Sequence, residues 1–159
     1  MLKLIGYWTD TKYHGMEWIH PKDLVDPKWE FDRRSSIVTY LRSGIFLCAE
    51  LGYSYCRFEG GPPDCEMGDS ELTDGVWVWP KGLAIYVERY HIRLPDEFIR
   101  HMEKKNFSIP EDLDVHNLNN SRYDVTFWKT WCKREKRKLF IKSIRNLLFL
   151  GKRVGPNNV

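Results

Sequence analysis

Apolar and polar positions alternate along this chain in short blocks whose spacing changes from one block to the next. Residues 2–8 are mostly apolar and predict a first strand, and the polar residues 9–15 predict a loop. Asp26-Pro27 predicts a helix start, because Asp accepts from free amides there and Pro at the first helical position gives up no hydrogen bond. This helix is read through Arg42, with Trp29, Ile37 and Leu41 facing inward, and it ends at Gly44, the residue type that favours a left-handed terminus.

Residues 45–50 and 54–58 are short apolar and aromatic runs on either side of Leu51-Gly52-Tyr53, a pattern that predicts a β-hairpin. An acidic stretch rich in Gly and Pro then leads to the turn pair Asp74-Gly75 and to Val76-Trp77-Val78-Trp79. Alternation places both tryptophans of that run on one face and both valines on the other, as in a central strand that is apolar on both sides. Pro80 opens a predicted helix to about Tyr90, carrying Leu83, Ile85, Tyr86 and Val87. Pro95 opens another to about Lys104, with Asp96 and Glu97 at the positive end of its dipole.

Residues 106–120 are polar and predict a surface loop, and residues 123–150 predict a long helix. Its apolar stripe drifts, with Trp128, Cys132 and Leu139 on one face and Phe140, Ile144 and Leu147 about a quarter to a third of a turn away. The drift predicts a bend or break near residues 135–138. The sum is an α+β protein: a small antiparallel sheet of about three or four strands packed with several helices, the last of them long and basic. It is read as one domain over residues 1–150 with a flexible tail over 151–159.

Composition adds little to this picture but excludes much. The 159 residues are 42% hydrophobic and 14% aromatic, enough to build a core without disulfides or metal. No apolar run suits an export signal or approaches the ~20 residues of a membrane span, so a cytoplasmic protein is expected. Cys48, Cys56, Cys65 and Cys132 are accordingly read as thiols.

Charge changes the picture more. Of 25 Lys and Arg and 22 Asp and Glu, residues 121–159 hold 11 and 2 respectively, so a basic C-terminal segment is joined to a mildly acidic body. Within the body, residues 59–74 carry Glu59, Asp64, Glu66, Asp69, Glu71 and Asp74 and no Lys or Arg. On the helix, Lys133, Arg134, Lys136, Arg137 and Lys138 follow Trp128 and Trp131, and cations beside aromatics suit phosphate contact and base stacking. These residues, with Asp64, Glu66 and Asp69 of the acidic stretch, are the candidate partner-binding positions. The two segments can equally complement each other within one fold.

Candidate chemistry is sparse. His14, His20, His91, His101 and His116 are possible bases and Cys56 and Cys65 possible nucleophiles, but no familiar catalytic or phosphate-binding motif joins them. The acids of the 64–74 stretch lack the order of a calcium loop.

The sharpest local block, residues 71–98, reads ELTDGVWVWPKGLAIYVERYHIRLPDEF. It resembles the centre of a family of small uncharacterised bacterial proteins that share an LTDG-W-WP-GLA-YV-LP-F pattern after a strand ending in Cys-Arg-Phe. The resemblance covers residues 53–98 and implies a bacterial, cytosolic fold, with no activity attached. It also implies a tetrahedral zinc set in many members, of which this chain keeps Cys56 and has Glu59, Ile85 and Tyr90 at the other three positions. Cys56, Cys65 and His91 are what remains for a replacement site, so neither metal nor other cofactor is expected.

By elimination, the chain reads as a non-catalytic protein-interaction module, such as an inhibitor or immunity-like protein. Nucleic-acid binding through the basic helix is the alternative, and an enzyme whose site is assembled in space is the second. No membrane partner is expected.

Overall fold

The computed structural model describes residues 1–9, 18–110, 113, 114, 118 and 123–151. Its elements run β1 (Leu2–Leu4), a 3-10 turn (Pro21–Leu24), α1 (Arg34–Arg42), β2 (Ile45–Ala49), α2 (Asp64–Met67) and β3 (Ser70–Thr73). They continue with β4 (Trp77–Pro80), α3 (Leu83–Tyr90), α4 (Asp96–Lys104), β5 (Tyr123–Asp124) and α5 (Thr126–Gly151). The α+β class is as predicted. The sheet is larger and mixed, in the order β2-β3-β4-β1-β5: β2, β3 and β4 are antiparallel, and β1 runs parallel to both β4 and β5. Of the loop predicted at residues 9–15 all but Thr9 lies outside the described residues, as do the tail after Gly151 and much of the 106–120 stretch.

β4 is central for the reason its sequence gives. Trp77, Val78 and Trp79 are all buried, with α4 and α1 over the tryptophan face. There Phe98 meets the rings of Trp77 and Trp79 at 5.1 and 5.6 Å, Tyr40 stacks on Trp79, and Trp79 Nε1 donates to the Leu41 carbonyl at 3.1 Å. The Asp74-Gly75 turn is fastened by Asp74 itself. Its Oδ1 accepts from the amides of Val76 and Trp77, and its Oδ2 accepts from Tyr40 at 2.5 Å and His101 at 2.8 Å. Gly75 provides the left-handed residue at φ +87°.

Several boundaries differ from the expectation, each with a local cause. β1 is shorter because Gly6, at φ +79°, turns the chain where a Cβ would stand 2.9 Å from Leu83. α1 begins eight residues after Asp26: Asp26 Oδ1 does accept from the Lys28 amide, but Glu30 takes a left-handed conformation at φ +47°, which a right-handed helix cannot contain. Gly44 does not end the helix through a positive φ. It lies so close to Trp79 and Leu72 that a Cβ would stand 2.6 Å from one and 2.8 Å from the other.

The predicted 45–58 hairpin is replaced by pairing of β2 with β3. Residues 54–58 instead turn to α3, where Phe58 stacks on Tyr90 at 3.9 Å and the Arg57 amide donates to the Tyr86 hydroxyl at 2.9 Å. Pro80 closes β4 rather than opening a helix, opposite Glu71, and α3 starts at Leu83. α4 follows Pro95 as predicted. α5 is one helix of 26 residues without a break, and the drift of its stripe marks where it leaves the body.

Candidate functional site

Two features stand out from this scaffold: a cleft beside Glu71 and the outer half of α5. The cleft, of about 590 Å³, opens between the 50–57 loop, the segment around Tyr7 and Trp8, and the start of α3. Aromatic and apolar side chains make most of its wall, among them Tyr7, Trp18, Tyr53, Met67 and Tyr86. Glu71 lies at its inner wall with 3% exposure, because β3 turns the side chain into the body.

Both Glu71 oxygens are occupied. Tyr7 donates its hydroxyl to Oε1, Tyr123 donates to Oε2, and Cys48 Sγ is 3.3 Å from Oε2. Burial pushes the Glu71 carboxyl above the usual carboxylate range, against the Tyr123 hydrogen bond, which lowers it. Burial and the Glu71 bond push the Tyr123 phenol up in turn. A buried carboxyl raised in this way, beside a cleft, is an enzyme-like environment assembled in space among the described residues. On the rim, Glu50 and Asp69 add negative charge. Among the described residues Arg57 is the cation of the lining, and its guanidinium is held by the Ser54 hydroxyl and the Tyr55 carbonyl.

The first half of α5 belongs to the core. Trp128 and Trp131 stack at 4.9 Å, Trp128 meets the Trp8 ring edge-on, and its Nε1 donates to the Tyr7 carbonyl at 2.7 Å. Cys132 is fully buried, and burial pushes its thiol up to about 12. Glu135 is the last buried residue of the helix among those described, ties it to the body through Arg93 at 3.2 Å, and pairs within the helix with Lys138 at 2.7 Å. From residue 136 to residue 148 every position but the half-buried Leu139 is exposed. That arm carries a stripe of Phe140, Ile141, Ile144, Leu147 and Leu148, with Phe140 and Leu147 about two-thirds exposed. The spacing i, i+1, i+4, i+7, i+8 places all five within about a third of the helix circumference.

No family model, curated protein or solved structure matches the chain.

The partner positions read from the sequence fall in different environments. Lys133, Arg134, Lys136, Arg137 and Lys138 are exposed on α5, but Trp128 and Trp131 are core residues and offer no stacking surface. Asp64 and Glu66 are exposed on α2, where Glu66 pairs with Arg89 at 3.0 Å, and Asp69 is half-buried on the cleft wall. Lys133 and Lys136 each have partners of their own.

The metal candidates are not gathered. Cys65 is exposed on α2, Cys56 Sγ donates to the Tyr90 hydroxyl at 3.6 Å, and His91 caps α3 in a left-handed conformation. Tyr90, one of the positions where the resemblance implies a ligand, instead closes an aromatic pile with Phe58. Among the described residues, the donors within 4.8 Å of one another are those of Cys48, Glu50 and Glu71, and the hydrogen bonds already taken by Glu71 occupy that carboxylate. Of the histidines, His20 accepts from the Lys22 amide and His101 is bound to Asp74, while His14 and His116 lie outside the described residues.

Sequence reasoning missed the Glu71 site because its partners come from residues 7, 48 and 123, with no spacing to connect them. The arm was legible as basic. Its exposed stripe was not, since periodicity cannot distinguish a face turned to the core from one turned to solvent.

Proposed function

We propose that the protein is a cytoplasmic, non-catalytic binding module, of inhibitor or immunity type, that docks another protein through the outer half of α5. The observation that carries this reading is the exposed stripe of Phe140, Ile141, Ile144, Leu147 and Leu148. An apolar stripe in water is unfavourable, and full burial of each side chain in a partner groove contributes about 1.5–3 kcal/mol before the cost of association. Lys138 and Arg145 lie along one edge of it and Lys136 at the other, and no acid follows Glu135 in the chain, so the groove it suits is apolar with an acidic rim. No helix among the described residues is long and apolar enough to cross a membrane.

Nucleic-acid binding is the second reading, supported by the exposed cations from Lys133 to Lys138. Phosphates would satisfy those charges but leave the stripe uncovered. The test compares the wild-type chain with Phe140→Gln/Leu147→Gln, which removes apolar surface and leaves every charge in place. In pull-downs at low and high salt, with and without nuclease, a specific protein should be retained by the wild type and lost from the variant. Retention of nucleic acid alone, equal for both chains and abolished by nuclease, would replace this reading with the second one.

A further inference from the structure

The molecule carries both halves of a contact of the kind just described. We infer that the α5 arm docks in the aromatic cleft beside Glu71 of a second copy of this chain, an inference that rests on reading the arm as a docking element. The charges match: Arg145 borders the Ile141 edge of the stripe, Glu50 and Asp69 edge the cleft, and the cleft's Arg57 is already committed to Ser54 and Tyr55. The apolar surfaces match as well. Leu51 is fully exposed at the cleft mouth, Tyr53 is 59% exposed beside it, and nothing in the described chain covers either.

Dimensions agree with insertion of part of the stripe. From Phe140 to Leu148 the helix rises about 12 Å, and a volume of about 590 Å³ accommodates a few large side chains of that face. The alternatives within one species of chain are weaker. Pairing two arms stripe to stripe would bring Arg137 and Arg145 of each against like charges, with no acid on either arm beyond Glu135 to offset them. A chain cannot fill its own cleft, because α5 is one unbroken helix whose first half is fixed in the core by Trp128 and Glu135. Reciprocal insertion about a two-fold axis closes the assembly as a dimer.

Sedimentation of the full chain over a wide concentration range tests this directly. Two variants change exposed residues only: Phe140→Gln/Leu147→Gln on the arm, and Glu50→Lys/Leu51→Lys at the cleft mouth. The wild type should associate reversibly, more weakly in high salt, and either variant should raise the apparent Kd by about tenfold or more, the equivalent of 1.4 kcal/mol. Mixing the two variants should restore a one-to-one species, since one supplies an intact cleft and the other an intact arm. A chain that stays monomeric throughout, or association untouched by both variants, overturns the inference. Binding of the monomer to anionic phospholipid vesicles, lost with the arm variant, overturns it too and gives the stripe to a lipid surface. The pull-down separates the two levels: a monomeric chain whose arm still captures one specific host protein loses only the second copy as partner, and a chain that captures none loses the docking reading as well.

Discussion

At Gly44, a methyl group would meet the Trp79 ring at 2.6 Å and the Leu72 stem at 2.8 Å, both set in the core. Gly44→Ala is therefore expected to lower the unfolding free energy by about 1–3 kcal/mol, seen as a lower urea midpoint at unchanged slope. A wild-type midpoint would mean that the tryptophan can give way. Glu71 makes a different prediction, about pH. Its folded carboxyl titrates above the unfolded one because it is buried, so its contribution to stability is fully present below the unfolded value of about 4.3 and is lost as pH rises through the folded value. Between about pH 4 and about pH 8 the wild type should lose stability relative to Glu71→Gln. Urea unfolding of both chains across that range measures the difference, and parallel curves would place the Glu71 charge outside the folding equilibrium.

α5 shows how an element's two ends can obey different rules. Glu135, where the helix leaves the body, would titrate high through burial alone. The Lys138 bond and charge, together with Arg93, outweigh this and hold its carboxyl below the usual range. Its contribution is thus present above about pH 4.3 and lost as pH falls through the folded value. Glu135→Gln should cost about 1–3 kcal/mol at neutral pH and remove that part of the acid-induced loss, which unfolding at neutral and acid pH would reveal. Asp26-Pro27 and Pro80 opened no helix where one was read, but other local signals were legible from sequence: the Asp74-Gly75 turn, the Pro95 start of α4, the Trp-Val alternation of β4. Elements chosen by tertiary competition were not. Residues 54–58 have the composition of a strand, yet the rings of Phe58 and Tyr90 outcompeted the ladder, and residues 70–73 at the end of the acidic stretch became the strand because Glu71, Leu72 and Thr73 could be buried. The candidate site followed the same division. Basic charge on α5 is a local property and could be read, whereas the Tyr7, Cys48 and Tyr123 partners of Glu71 meet only through the order of the sheet.

For the whole molecule, the separation of a packed body from a projecting arm implies that stability and binding lie in different parts of one helix. Trp128 is fully buried, stacked on Trp131 and bonded to the Tyr7 carbonyl, so Trp128→Ala should cost about 3–5 kcal/mol. The Phe140→Gln/Leu147→Gln change also removes apolar surface, but from side chains already largely in water, and Gln is a good helix former. It should leave the unfolding free energy within about 1 kcal/mol of wild type. Chemical unfolding at a protein concentration low enough to keep the chain monomeric distinguishes these cases. If the arm variant were as damaged as the tryptophan variant, the stripe would have to be packed against the body, and its exposure could no longer be an argument for a partner. If only Trp128→Ala is destabilised while only the arm variant loses association, the stripe is there for docking and not for folding.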